Sequence, residues 1–179
     1  MGSFVELTLA MTFAKETPLE IVGAFAEWQL PPEEWRTGEP APDLPTLQTS
    51  LGDDPFDADG YLADFFDDNP MQQLEPIHQA ALWQWLARWG DNAYFPGTPH
   101  TALRWDPYGQ RWSLTMRAVP KEPAWPLQII APLGRYAVDG TPERPWFTGY
   151  ILDESNPRPV LIWSVGQEPF QFEGDLETY

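Results

Sequence analysis

Along residues 4–13, FVELTLAMTF, the apolar side chains Val5, Leu7, Leu9, Met11 and Phe13 recur at every second position. That period of two predicts a strand with one apolar face. The pattern then turns helical. Thr17-Pro18-Leu19-Glu20 reads as a capping box, with Thr17 as N-cap, Pro18 at the first helical position and Glu20 closing the box. Leu19, Val22, Phe25, Ala26 and Gln29 trace one face of a helix running to about residue 29, and Ile21 and Trp28 widen it. Pro31-Pro32 end it, because proline lacks the backbone N–H that continuation requires.

Residues 31–60 have no clear period. PPEEWRTGEPAPDLP predicts an extended proline-rich loop, with a short strand at 45–51 and one or two helical turns at 60–66. The main helix is expected over 76–89, because Pro76 inside a helix would cost about 3 kcal/mol and so belongs at its start. Its apolar face is read as Ile77, Ala81, Leu82, Trp85, Leu86 and Trp89, with Gly90 as C-cap. Residues 101–106 and 111–119 predict a hairpin around Asp-Pro-Tyr-Gly-Gln. In its second strand Trp112, Leu114, Met116 and Ala118 alternate with Ser113, Thr115 and Arg117. A short helix over 126–133 is broken by Pro132 and Gly134. WFTGYILDE (146–154) and PVLIWSVG (159–166) read as two apolar strands joined by Ser-Asn-Pro-Arg, and PFQFE as an edge strand near the end.

The first and third quarters echo each other. LTLAMTFAKETPLEIVGAF (7–25) and WSLTMRAVPKEPAWPLQIIAPL (112–133) are each strand, Lys-Glu loop, proline and helix, with PLEIV matching PLQII. The element order predicts an α+β fold: a mainly antiparallel sheet with two or three helices packed on one face. The echo suggests two ferredoxin-like βαβ halves within it. One domain is expected over 1–179, carrying a proline-rich acidic insert at 31–70.

Composition supports a folded chain. Aromatic residues make up 15% of the 179, ten of them tryptophan, which is too much apolar surface for a disordered protein even at net charge −17. The absence of cysteine excludes disulfides and thiolate chemistry, and MGSFVELTLAMTF lacks the basic start of a signal peptide. No run of eighteen apolar residues is present, so no membrane span is expected, and a soluble, cytoplasmic protein is the reading. Residues 1–90 hold 16 acids and 3 bases (net −13), and residues 91–179 hold 11 acids and 7 bases (net −4). Direct contact with nucleic acid is therefore not expected, whereas a cationic partner would be steered to the first half.

The richest acidic stretch is DDPFDADGYLADFFDDNP (53–70). Asp57, Asp59 and Gly60 fit positions 3, 5 and 6 of a calcium loop, but Pro55 and Phe66 then occupy positions 1 and 12, which need side-chain oxygens. Its Phe56, Tyr61, Leu62, Phe65 and Phe66 suit an ordered insert pinned to the core with aspartates outward. His78 and His100 are isolated, so no metal site is expected, and no cofactor. Nucleophile-elbow, dinucleotide and phosphate-loop motifs are missing.

Two functional expectations follow. The first is a non-enzymatic binding protein whose acidic face meets a basic protein, as an immunity protein or a DNA mimic would. Its contact residues would be Glu33, Glu34, Trp35, Asp53, Asp54, Asp57, Asp59, Asp64, Asp67 and Asp68. The second is a small-molecule-binding protein or hydrolase. It would use paired carboxylates such as Asp153-Glu154 and tryptophans near loops (Trp35, Trp105, Trp125, Trp146) in a cleft between sheet and insert. Trp28, Trp85, Trp89, Trp112 and Trp163 are assigned to apolar faces.

Overall fold

The fold is known from a computed structural model that describes residues 5–33, 37–47, 71–88, 101–119, 124–154 and 156–174. The alternating segment forms β1 (Val5–Thr12), the hairpin forms β2 (Thr101–Asp106) and β3 (Arg111–Ala118), and the apolar pair forms β4 (Trp146–Asp153) and β5 (Val160–Ser164). A short β6 (Gln171–Glu173) closes the edge. All six strands pair antiparallel in the order β2-β3-β1-β4-β5-β6. β1 therefore has a partner along both edges, with Leu7 opposite both Ala118 and Ile151. Because β1 runs against β3 and β4 alike, those two are parallel across it; β1 and β2 are parallel across β3 in the same way.

Strands that end up parallel need a crossover, and helices fill both crossovers. The first holds α1 (Leu19–Val22), a 3-10 segment Gly23–Trp28, a 3-10 turn Met71–Gln73 and α2 (Pro76–Arg88). The second holds α3 (Ala124–Ile130) and a 3-10 segment Ala131–Tyr136. Val5, Leu7, Leu9, Met11, Leu114, Met116, Ala118, Ile151, Val160 and Ile162 are buried on the sheet face that meets Phe25, Leu82, Leu86, Ile129, Ile130 and Leu133. Trp83 is sunk in this layer; its Nε1–H donates to the Ile129 carbonyl at 2.8 Å and its ring meets Tyr136 edge-on at 6.0 Å.

Two helical expectations are corrected. Thr17 caps nothing: the N-cap is Pro18, no side chain caps α1, and the Thr17 hydroxyl is buried without a partner among the described residues. α1 lasts four residues and then tightens into the 3-10 segment, whose Gly23 lies against the Pro45 carbonyl. In α2 the buried set is Gln79, Ala80, Ala81, Leu82, Trp83, Leu86 and Ala87, turned relative to the face read through Ile77 and Trp85. The cause is tertiary: α2 packs against α3 as well as β3, and Gln79 is satisfied by the Met71 and Leu74 carbonyls. Pro45–Leu47 form no strand, and the helical turns at 60–66, Trp89 and Gly90 lie outside the described residues.

The opposite sheet face is half-buried to exposed and carries a polar knot. Arg117 Nη2–H donates to Glu6 Oε2 at 2.7 Å, and the Tyr150 hydroxyl donates to Glu6 Oε1 at 2.9 Å. The Arg117 bond holds the Glu6 carboxyl below its ordinary value of 4.5 despite the opposing effect of burial. Native Glu6 thus binds a proton less readily than it does in the unfolded chain. Its stabilising contribution is complete above pH 4.5 and disappears as pH falls through the depressed native value. Arg117→Met should move the Glu6 carboxyl upward in an NMR titration and flatten the acid limb of stability against pH. An unmoved Glu6 titration would contradict this.

Candidate functional site

The proline-rich chain 37–47 is fastened to the turn end of the β2–β3 hairpin near Glu39 and lies against Gly23 of the 3-10 segment at Pro45. The Glu39 N–H donates to the Pro107 carbonyl at 3.3 Å, and Trp105 Nε1–H donates to the Glu39 carbonyl at 2.8 Å. Gly38 permits this approach, since a Cβ there would lie 2.8 Å from Pro107 Cβ. At the other end a Cβ on Gly23 would meet the Pro45 carbonyl oxygen at 2.5 Å. Pro40, Pro42 and Pro45 stiffen the span, so little backbone entropy remains to be lost on docking. The entry to this chain is shaped by proline too. Leu30 N–H donates to the Leu103 carbonyl and Gln29 bridges Leu103 in parallel, extending the sheet beyond β2 until Pro31-Pro32 end the pairing.

Two cavities lie beside this chain, with Trp105 lining both. One, of about 300 Å³, has apolar walls from Phe13, Leu19, Val22, Pro40, Pro42 and Trp105. Lys15, Thr17, Glu39, Gln110, Arg111 and Trp112 supply its polar groups. The other, of about 420 Å³, is lined by Leu30, Pro31, Pro32, Ala41 and Pro107 with the Glu33–Arg104 pair, 2.6 Å apart, among its residues. Trp105 and Trp112 face each other across the hairpin register, ring centroids 5.2 Å apart.

The smaller cavity is short of hydrogen bonds. Thr17 Oγ1, Arg111 Nε and Trp112 Nε1 are buried without a partner among the described residues, and all three residues line it. They are three of the four such atoms among the described residues. Each such group costs about 1–3 kcal/mol against a satisfied one, and native folds keep them few. Trp112 is only 3% exposed, whereas Trp83, equally deep, has its carbonyl. Arg88, Arg104 and Arg117 each pair with a glutamate; Arg111 has no such partner among the described residues. Lys15 Nζ donates to Gln110 Oε1 at 2.6 Å, and Gln110 takes a left-handed backbone (φ 51°), unusual outside glycine, directly before Arg111.

The residues expected to form an acidic contact face are mostly not in this picture. Glu34, Trp35, Asp53, Asp54, Asp57, Asp59, Asp64, Asp67 and Asp68 lie outside the described residues. Glu33 is half-buried and ion-paired with Arg104. Of the paired carboxylates, Asp153 is buried and Glu154 exposed, and both are remote from the cavities' linings. Of the tryptophans expected in a cleft, Trp105 is there and Trp146 is exposed elsewhere. Trp112, assigned to the core, lines the cavity too. No group of His, Asp and Glu suited to a metal occurs among the described residues, and no helix there is long and apolar enough to cross a membrane.

Comparison with family models, with curated proteins and with solved structures finds no match to this chain.

Two substitutions separate the two buried indoles. Trp83→Phe should cost about 2–4 kcal/mol in urea denaturation, because the Ile129 carbonyl is orphaned in the core. Trp112→Phe, which deletes a donor that has no partner, should cost less than about 1 kcal/mol. Equal losses would mean that Trp112 is bonded within the protein. Gly23→Ala reverses the usual helical preference: in place of a gain of up to about 1 kcal/mol, the clash with Pro45 should give a loss of about 1–3 kcal/mol.

Proposed function

We propose that the protein is a non-enzymatic small-molecule-binding protein whose ligand occupies the smaller cavity, beneath the proline-rich chain. One observation carries this reading: three buried polar groups without partners belong to residues lining a single cavity of about 300 Å³. That volume is at the lower end of ordinary ligand sites, and the mixture of apolar walls with a few polar groups is what such sites use. The larger neighbouring cavity gives room for a ligand that extends past Trp105. Of the two carboxylates that line the larger cavity, Glu33 is already engaged by Arg104, and Glu39 is the one carboxylate lining the smaller cavity, so the reading favours binding over hydrolysis.

The alternative, an acidic face that receives a cationic protein, is supported by the net charge of −17 and its bias toward residues 1–90. It gains nothing from Glu33, which Arg104 already engages. A cytoplasmic setting and a single domain with an insert at 31–70 belong to the same proposal. So do two ferredoxin-like βαβ halves, supported by the matched directions of β1 with β2 and of β3 with β4. PLEIV and PLQII also bury equivalent residues, Ile21-Val22 and Ile129-Ile130.

Indole N–H signals in an NMR fragment screen test the binding reading. Fragments that bind should shift the Trp112 and Trp105 signals while leaving Trp83 and Trp163, which donate to Ile129 and Glu173, in place. A panel of acidic, basic and neutral aromatic fragments that leaves Trp112 unmoved would count against the site.

A further inference from the structure

Resting on that reading, we propose that the ligand presents a single carboxylate to Arg111, Trp112 and Thr17, with an apolar body against the cavity walls. The indole and guanidinium nitrogens are donors only, and a threonine hydroxyl can donate. A ligand that completes them must therefore offer acceptor oxygens. A guanidinium fork matches a planar carboxylate or a phosphate, and it binds either through charge-assisted bonds stronger than neutral ones. Lys15, beside Gln110 on the same lining, adds a second cation. A positive pair is notable in a chain with 27 acids and 10 bases.

Two features select the carboxylate. Glu39 also lines the cavity, and together with a net charge of −17 it penalises each further negative charge on the ligand. A phosphate near neutral pH carries more charge than a carboxylate and pays that penalty more heavily. Secondly, Phe13, Leu19, Val22 and Trp105 would stay uncovered around a free inorganic ion, whereas an aromatic or branched acid fills the space. A volume of about 300 Å³ suits a ligand the size of a small aromatic acid.

Isothermal titration of the full chain with benzoate, benzamide, benzylamine and inorganic phosphate tests this, using wild type, Arg111→Met, Arg111→Lys and Trp112→Phe. Near-UV circular dichroism verifies that each variant is folded. Benzoate should bind at least about tenfold tighter than benzamide, since a charged hydrogen bond replaces a neutral one. Arg111→Met should weaken benzoate by at least about tenfold, Arg111→Lys should restore part of the loss, and neither should change benzamide binding. Trp112→Phe should weaken both probes. Benzamide binding as tightly as benzoate, with Arg111→Met silent, would overturn the carboxylate while leaving the cavity as a ligand site. Phosphate binding that exceeds benzoate, or preferred binding of benzylamine, would overturn it in favour of another head group. No heat from any probe, with the Trp112 indole signal unmoved, would remove the ligand site itself and this inference with it.

Discussion

Everything in this fold is referred to β1. It is hydrogen-bonded along both edges, so its register fixes β3 on one side and β4 on the other, and its period of two decides which sheet face is buried. A slip of one residue would send Leu7, Leu9 and Met11 to the face that now holds Glu6 and Thr8. Side chains worth about 1.5–3 kcal/mol each on burial enforce that choice. Once β1 is set, the antiparallel order obliges two crossovers, and their helices cover the apolar face. Phe13, at the end of the strand, then becomes a wall of the cavity.

The cavity exists because a stiff chain cannot follow the surface beneath it. Segment 37–47 is tied at Pro107 and Trp105 and seated on Gly23, while its prolines keep it from collapsing onto the hairpin. The gap leaves Trp112, Arg111 and Thr17 without the bonds that a closed core would have supplied. A chain selected only for stability would place phenylalanine at 112 and let Arg111 pair with a carboxylate, as Arg88, Arg104 and Arg117 do. Stability forgone at one place, with the surrounding core complete, is how binding sites commonly reveal themselves.

Most of the sheet was legible in the sequence because alternation survives wherever one face is dry. β1, the β2–β3 hairpin, the β4–β5 pair, the β6 edge and the start of α2 at Pro76 all follow from period and proline. Thr17 misled because a capping box is a local pattern: Pro18 takes the N-cap place, and α1 gives way after four residues to a 3-10 segment whose Gly23 lies against the Pro45 carbonyl. Trp83 escaped notice because α2 is apolar around much of its circumference, and its packing against α1, the 3-10 segment Gly23–Trp28, α3 and β3 selects the buried side. The site was half legible. Trp105, one of the tryptophans named near loops, lines both cavities. Trp112 was read as core from its alternation, correctly as to burial, but no periodicity reports whether an indole N–H finds an acceptor. Lys15 and Arg111 carried a signal: two of the chain's ten bases fall just past the end of β1 and at the start of its neighbour β3.

The central claim is that the hydrogen-bond deficit at Trp112 is completed from outside the protein. A high-resolution crystal structure of the full chain grown with benzoate measures this directly. The account predicts ligand density within the smaller cavity, with carboxylate oxygens about 3 Å from Arg111 Nε and Trp112 Nε1. A closed cavity, with the Trp112 N–H donating to a protein carbonyl and no ligand present, would contradict it.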